Sequence, residues 1–143
     1  MATTTATITL TSTDLLTDSL SLSATATLHK AGTTTGLDSV QYERLEVPTG
    51  DVYDILGSSQ TNGIALGANK ANKVYISNKS TNNTFYIDVY VNALIMGRLY
   101  AGDWAFFPLE VAAADQDVAV QAQGGAQVIE FALFHEGKTL GQQ

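Results

Sequence analysis

The side chains able to do chemistry are few and badly spaced for it. The two histidines, His29 and His135, each end a strand-like stretch at opposite ends of the chain. A zinc site needs three or four converging ligands. No His-x-His or His-x-x-x-His spacing supplies a start, so both are expected to be exposed imidazoles at strand ends, with no metal bound. Asp51/Asp54 and Asp115/Asp117 are carboxylate pairs of the type a glycosidase uses. Both fall in turn-like surroundings, where Asp bonds to its own local backbone. A calcium loop of the form Asp-x-Asp-x-Asp-Gly is absent. Gly57-Ser58-Ser59 lacks the flanking glycine of a nucleophile elbow. Neither glycine-rich phosphate pattern occurs. There is no cysteine, which removes thiolate nucleophiles, thiolate ligands and disulfides together. No catalytic residue, cofactor or metal is therefore expected, and the chain reads as a non-enzyme.

The aromatic residues carry more promise. Tyr86, Tyr90 and Tyr100, with Trp104, Phe106 and Phe107, crowd into 22 consecutive residues of the 143. Ring faces on one surface would stack on sugars. The plainer expectation is core packing plus a subunit interface.

Charge narrows the partners. Fourteen acids against seven bases give a formal net charge of −7, and the first 29 residues hold no Lys or Arg. Phosphate contacts require clustered Lys and Arg. The bases Lys30, Arg44, Lys70, Lys73, Lys79, Arg98 and Lys138 are scattered, so nucleic acid and anionic membrane are not expected partners. No apolar run approaches the roughly 20 residues of a spanning helix. Met1 to Thr5 has neither the basic nor the apolar region of a signal peptide. The sequons Asn78-Lys79-Ser80 and Asn82-Asn83-Thr84 are accordingly expected to be chance matches.

The elements that would position these residues are strands. From 19 to 28, Leu20, Leu22, Ala24, Ala26 and Leu28 alternate with Ser19, Ser21, Ser23, Thr25 and Thr27. Successive side chains of a strand point to opposite faces, so this segment has one dry and one hydroxylated face. Thr5, Thr7, Thr9 and Thr11 alternate with Ala6, Ile8 and Leu10. That pattern predicts a strand that needs a partner, given to a neighbouring subunit.

Further strands are expected over 40–47, 52–56, 73–78, 84–91, 94–100, 105–108, 117–123 and 128–134. Phe85, Ile87, Val89 and Val91 take one face of the 84–91 strand, and Tyr86, Asp88 and Tyr90 the other. Val118, Val120 and Ala122 point inward. Gly124-Gly125 is a candidate hairpin turn. Residues 57–73 form a long Gly- and Asn-rich loop with Ile64 and Leu66 as its apolar anchors. Loops of that length usually carry function. Residues 111–115 read as a short helical turn or loop. Almost no 3.6-residue periodicity exists, so crossover helices are missing and the pattern argues against a parallel α/β fold. The expected fold is all-β, an antiparallel β-sandwich of jelly-roll type in a single domain.

One stretch resembles a known family. It runs from Val74-Tyr75-Ile76-Ser77-Asn78 through Phe85-Tyr86-Ile87 to Gly97-Arg98-Leu99-Tyr100-Ala101-Gly102-Asp103-Trp104-Ala105-Phe106-Phe107-Pro108. It continues through Val118-Ala119-Val120-Gln121-Ala122 and Val128-Ile129-Glu130-Phe131. This order resembles small β-sandwich virion proteins of tailed bacteriophages, especially those of cyanophage and marine phage type, over residues 73–134. The resemblance transfers no catalytic residue. It implies a capsid decoration (cement) protein that binds the major capsid protein or other virion proteins. It also implies a homo-oligomer, a trimer or a dimer.

Three regions are thus expected: a Thr-rich arm or strand at 1–18, a β-sandwich at 19–136 and a polar tail at 137–143. The expected interface residues are Thr5, Thr7, Ile8, Thr9 and Leu10 of the arm, Ile64 and Leu66 of the loop, and Tyr86, Tyr90, Tyr100 and Trp104. The expected role is a non-enzymatic structural protein of the virion, assembled in the host cytoplasm. The competing roles are a head-to-tail, neck or tail adaptor and a carbohydrate-binding receptor-recognition module.

Overall fold

A computed structural model describes residues 3–15, 17–37, 39–56, 70–110 and 117–136. They form ten strands and no helix. These are β1 (Thr5–Ser12), β2 (Leu20–Thr27), β3 (Ser39–Val47), β4 (Tyr53–Leu56), β5 (Lys73–Asn78), β6 (Tyr86–Val91), β7 (Leu94–Tyr100), β8 (Trp104–Pro108), β9 (Val118–Gln123) and β10 (Gln127–His135). Nearly every boundary follows the alternation of the sequence. The expected loop at 57–73 lies outside the described residues from 57 to 69, and Ile64 and Leu66 with it. So do 111–116, including Asp115, and the tail from 137.

Two four-stranded antiparallel sheets make the body, in the orders β3-β10-β5-β8 and β4-β9-β6-β7. The expected antiparallel β-sandwich is what forms. Six of the seven connections between consecutive body strands pass from one sheet to the other; only β6 and β7 are hairpin neighbours within a sheet.

Alternation explains the core. Val74, Ile76, Ile129, Phe131 and Leu133 point inward from the first sheet. Ile87, Val89, Val118, Val120 and Ala122 meet them from the second. All ten are at most 1% exposed. Burying such side chains contributes about 1.5–3 kcal/mol each, which lets a cysteine-free chain of this size hold together.

One turn differs from expectation. Gly124-Gly125 joins β9 to β10, which lie in different sheets, so it is an arch and not a hairpin. Gly124 has φ +97°, and a Cβ on either glycine would meet the Phe85 ring at 2.6 Å. A Gly-Gly pair supplies the same backbone freedom to a hairpin and to an arch, so local sequence does not separate the two. The true two-residue hairpin is Asn92-Ala93, with φ of 52° and 64°. Asn suits this region; Ala, carrying a Cβ, does not.

The third sheet is β1 paired with β2 in one unbroken register from Thr5↔Thr27 to Ser12↔Leu20. The partner of β1 is therefore found within the chain. The 19–28 strand, expected inside the sandwich, belongs to this hairpin, and the sandwich sheets begin with β3.

Candidate functional site: the hairpin, the cleft beneath it and two aromatic faces

The even-numbered side chains of the hairpin form its apolar face. Ile8 is 39% exposed, Leu10 47% and Leu22 52%. The odd positions carry hydroxyls, and Thr7 Oγ1 and Thr25 Oγ1 lie 3.1 Å apart across the pair. The hairpin is tied to the body at its base. Leu28 N–H donates to Thr4 O at 2.8 Å, Leu37 N–H to Leu28 O at 3.0 Å, and Ala31 N–H to Glu136 Oε1 at 2.6 Å. Leu28 and Leu37 are buried there. Beyond the base, Ala6, Ile8 and Ala24 face Tyr75, Trp104 and Phe106 across an open apolar cleft of about 950 Å³.

Those three aromatics stand on the outer face of the β3-β10-β5-β8 sheet. Register places Tyr42, Ala132, Tyr75 and Phe106 in one row across all four strands. Tyr42 donates its hydroxyl to Glu130 Oε2 at 2.6 Å, and Lys79 Nζ lies 3.8 Å from Glu130 Oε1. The hydrogen bond from Tyr42 is the main reason the Glu130 carboxyl titrates below its ordinary range, and the same bond raises the Tyr42 phenol.

Tyr86, Tyr90 and Tyr100 occupy the opposite side of the sandwich. Tyr86 and Tyr100 oppose each other on β6 and β7, with ring centroids 5.2 Å apart and planes at 50°. The Arg98 guanidinium lies 3.9 Å from the Tyr86 centroid, and its Nε donates to Asp88 Oδ1 at 3.1 Å. Bonds to Tyr100 and then to Asp88 hold Arg98 more firmly protonated than usual. Tyr90 donates to Gln121 Oε1 at 3.1 Å. Tyr86, Tyr90 and Tyr100 are thus brought together, whereas Trp104 stands on the other outer face. An interface joining Tyr86, Tyr90 and Trp104 as one patch is not formed within a single copy. Sequence spacing missed this because the Ala101-Gly102-Asp103 turn carries the chain from one sheet to the other between Tyr100 and Trp104.

One buried polar group escaped the sequence reading. Asn78 is 0% exposed and donates from Nδ2 to Gln127 Oε1 at 2.9 Å and to Leu99 O at 3.0 Å. Its Oδ1 accepts from Ser80 N–H at 2.9 Å. Gln127 in turn donates from Nε2 to Tyr86 O at 2.9 Å and to Gln123 O at 3.0 Å. Asn78 and Gln127 belong to one sheet; Tyr86, Leu99 and Gln123 belong to the other. The pair bolts the sheets together, and the sequon at Asn78 is closed to a glycosyl group.

His29 is exposed, but His135 is 4% exposed, with Nδ1 2.8 Å from Glu136 O. The expected exposed imidazole at 135 is corrected: His135 continues the inward-facing row of Ile129, Phe131 and Leu133 on β10. Among the described residues no three His, Asp or Glu side chains converge, and no helix is long and apolar enough to cross a membrane. Comparison with protein-family models, with curated proteins and with solved structures gave no match.

Proposed function

We propose that this protein is a non-enzymatic structural component of a tailed-phage particle, a decoration or cement protein that binds the head lattice and reinforces it. The observation that carries this reading is the β1–β2 hairpin, whose two strands carry no charge. It is held to the body at its base and presents an apolar face above an open cleft. Such a ribbon is built to be completed by another chain. A ligand that binds only the assembled shell stabilises that shell by mass action.

Strand order adds support. Numbered one to eight, the body strands run 1-8-3-6 in one sheet and 2-7-4-5 in the other. We read this as a jelly roll, an architecture that recurs in viral capsid and lectin domains. Fold alone does not fix function, so the particle decides. Quantitative mass spectrometry of particles from the phage that encodes the chain should find it in proportion to the shell protein. Its absence from the particle overturns the reading; a few copies confined to the neck replace it with the adaptor role.

One observation favours a second reading, glycan recognition. Tyr100 is 42% exposed beside the Arg98 guanidinium, which Asp88 fixes in place. Glycan-array binding that disappears in Tyr100→Ala would establish it, and a blank array would remove it.

A further inference from the structure

Within their own residues the hairpin strands carry none of the devices that protect a sheet edge. Natural proteins blunt edges with charge, proline, bulges or short strands. The sandwich does this on its own four edges. β3 carries Glu43, Arg44 and Glu46, and β4 has four residues and a register shift. β7 has a register shift and Arg98, and β8 ends on Pro108. β1 and β2 together contain no charged residue, no proline and no glycine, and their register runs unbroken over eight pairs. On β2 every residue from Ser21 to Thr27 is exposed.

We infer that the free edge of β2 pairs antiparallel with β2 of a second copy, making one four-stranded sheet β1-β2-β2-β1 across a two-fold axis. Symmetry singles out this occupant. Directly opposed residues of an antiparallel pair point to the same face. Under a two-fold axis normal to the sheet, the numbers of opposed residues have a constant, even sum. Every register so allowed sets Leu20, Leu22, Ala24 and Ala26 against one another, and Ser21, Ser23, Thr25 and Thr27 against one another. The dry face stays dry and the hydroxyl face stays hydroxylated, with no charge to repel the approach. The doubled apolar face would span both clefts. This inference rests on the assembly role proposed above and names the first partner of the same element.

The cysteine-free chain makes the test direct. Residues facing themselves across an antiparallel pair sit at about 4.5–5.5 Å between Cα atoms, within disulfide reach. Ser21→Cys, Leu22→Cys, Ser23→Cys, Ala24→Cys and Thr25→Cys, which cover axes through odd and even residues, are each to be oxidised in the intact protein and compared with Thr84→Cys in an exposed turn of the body. Sedimentation equilibrium should give a wild-type dimer, and at least one β2 cysteine should link two chains well before the control does. Ser23→Lys/Thr25→Lys should sediment as a monomer with an unchanged far-UV spectrum. A monomeric wild type, a dimer that survives the two lysines, or cross-linking no faster at β2 than at residue 84 overturns the inference. A monomer that still joins particles sinks the pairing alone; a β2-linked dimer missing from particles sinks the virion role alone.

Discussion

The sandwich and the hairpin are both made of alternating strands, yet they spend that alternation differently. In the sandwich, each dry face meets another dry face, and Ile76, Ile87, Val120 and Phe131 lose all or nearly all contact with water. In the hairpin, Ile8, Leu10 and Leu22 keep more than a third of their surface exposed. The polar contrast is sharper. The body buries Asn78 and Gln127 and satisfies them across the two sheets. The hairpin buries no side-chain amide and relies on its ladder and the contacts at its base. Regular strand pattern thus secures secondary structure in both regions, while stability comes only where a second layer covers it.

The largest expected effect breaks the body. Asn78→Ala strands the buried Gln127 Oε1 and removes the part-buried bonds to Leu99 O and Ser80 N–H, and a buried group left unsatisfied costs about 1–3 kcal/mol. Urea unfolding followed by far-UV circular dichroism should show a loss of at least about 2 kcal/mol. A loss below about 0.5 kcal/mol would mean that water replaces the amide there and the bolt does not exist.

Next in size is a gain within the body. Ala93 sits at φ 64° in the β6–β7 turn. Glycine takes this conformation without the Cβ penalty, so Ala93→Gly should stabilise by about 0.5–1 kcal/mol, offset partly by unfolded-chain entropy. A destabilised variant would count against the turn geometry.

The hairpin should respond weakly to the kind of truncation that harms a core. Leu22→Ala is expected to change global stability by no more than about 0.5 kcal/mol in the dissociated chain, against about 2–5 kcal/mol for Ile129→Ala. Amide hydrogen exchange in the same samples should find β2 far less protected than β10. Equal protection would erase the contrast between the two regions.

The smallest effect is a titration. Glu130 is held low mainly by the Tyr42 hydroxyl. A depressed carboxyl contributes stability that is present above its unfolded pKa and is lost as pH falls through the folded one. Tyr42→Phe should move the Glu130 carboxyl upward in an NMR titration and flatten the acid limb of the stability curve. An unmoved Glu130 would show that Lys79 and Arg44 set its value.

Much of the architecture was legible in the residues. Alternation placed Val118, Val120 and Ala122 inward, and all three are buried. Ser19 to Leu28 read as a strand with one dry face; β2 is that strand, but its apolar face is exposed and not dry. What stayed illegible depends on closure between distant segments. Nothing near Trp104 says that it belongs beside Tyr75 and not beside Tyr100. Nothing at Gly124-Gly125 says that the chain changes sheets there. Asn78 looks like a strand end entering a polar turn, and its burial arises from Gln127 nearly fifty positions onward. His135 is misjudged because the end of a strand suggests exposure, whereas the residue continues the inward row of Ile129, Phe131 and Leu133 on β10.

Strand β10 fills the gap between β3 and β5, which do not pair with each other. During translation, then, β3 waits without a lateral neighbour until residues 127–135 leave the ribosome. The β1–β2 ribbon faces no such delay, because both its arms precede every sandwich strand and pair with each other. Neighbouring ribosomes on one message would therefore hold several exposed apolar ribbons close together before any sandwich has closed.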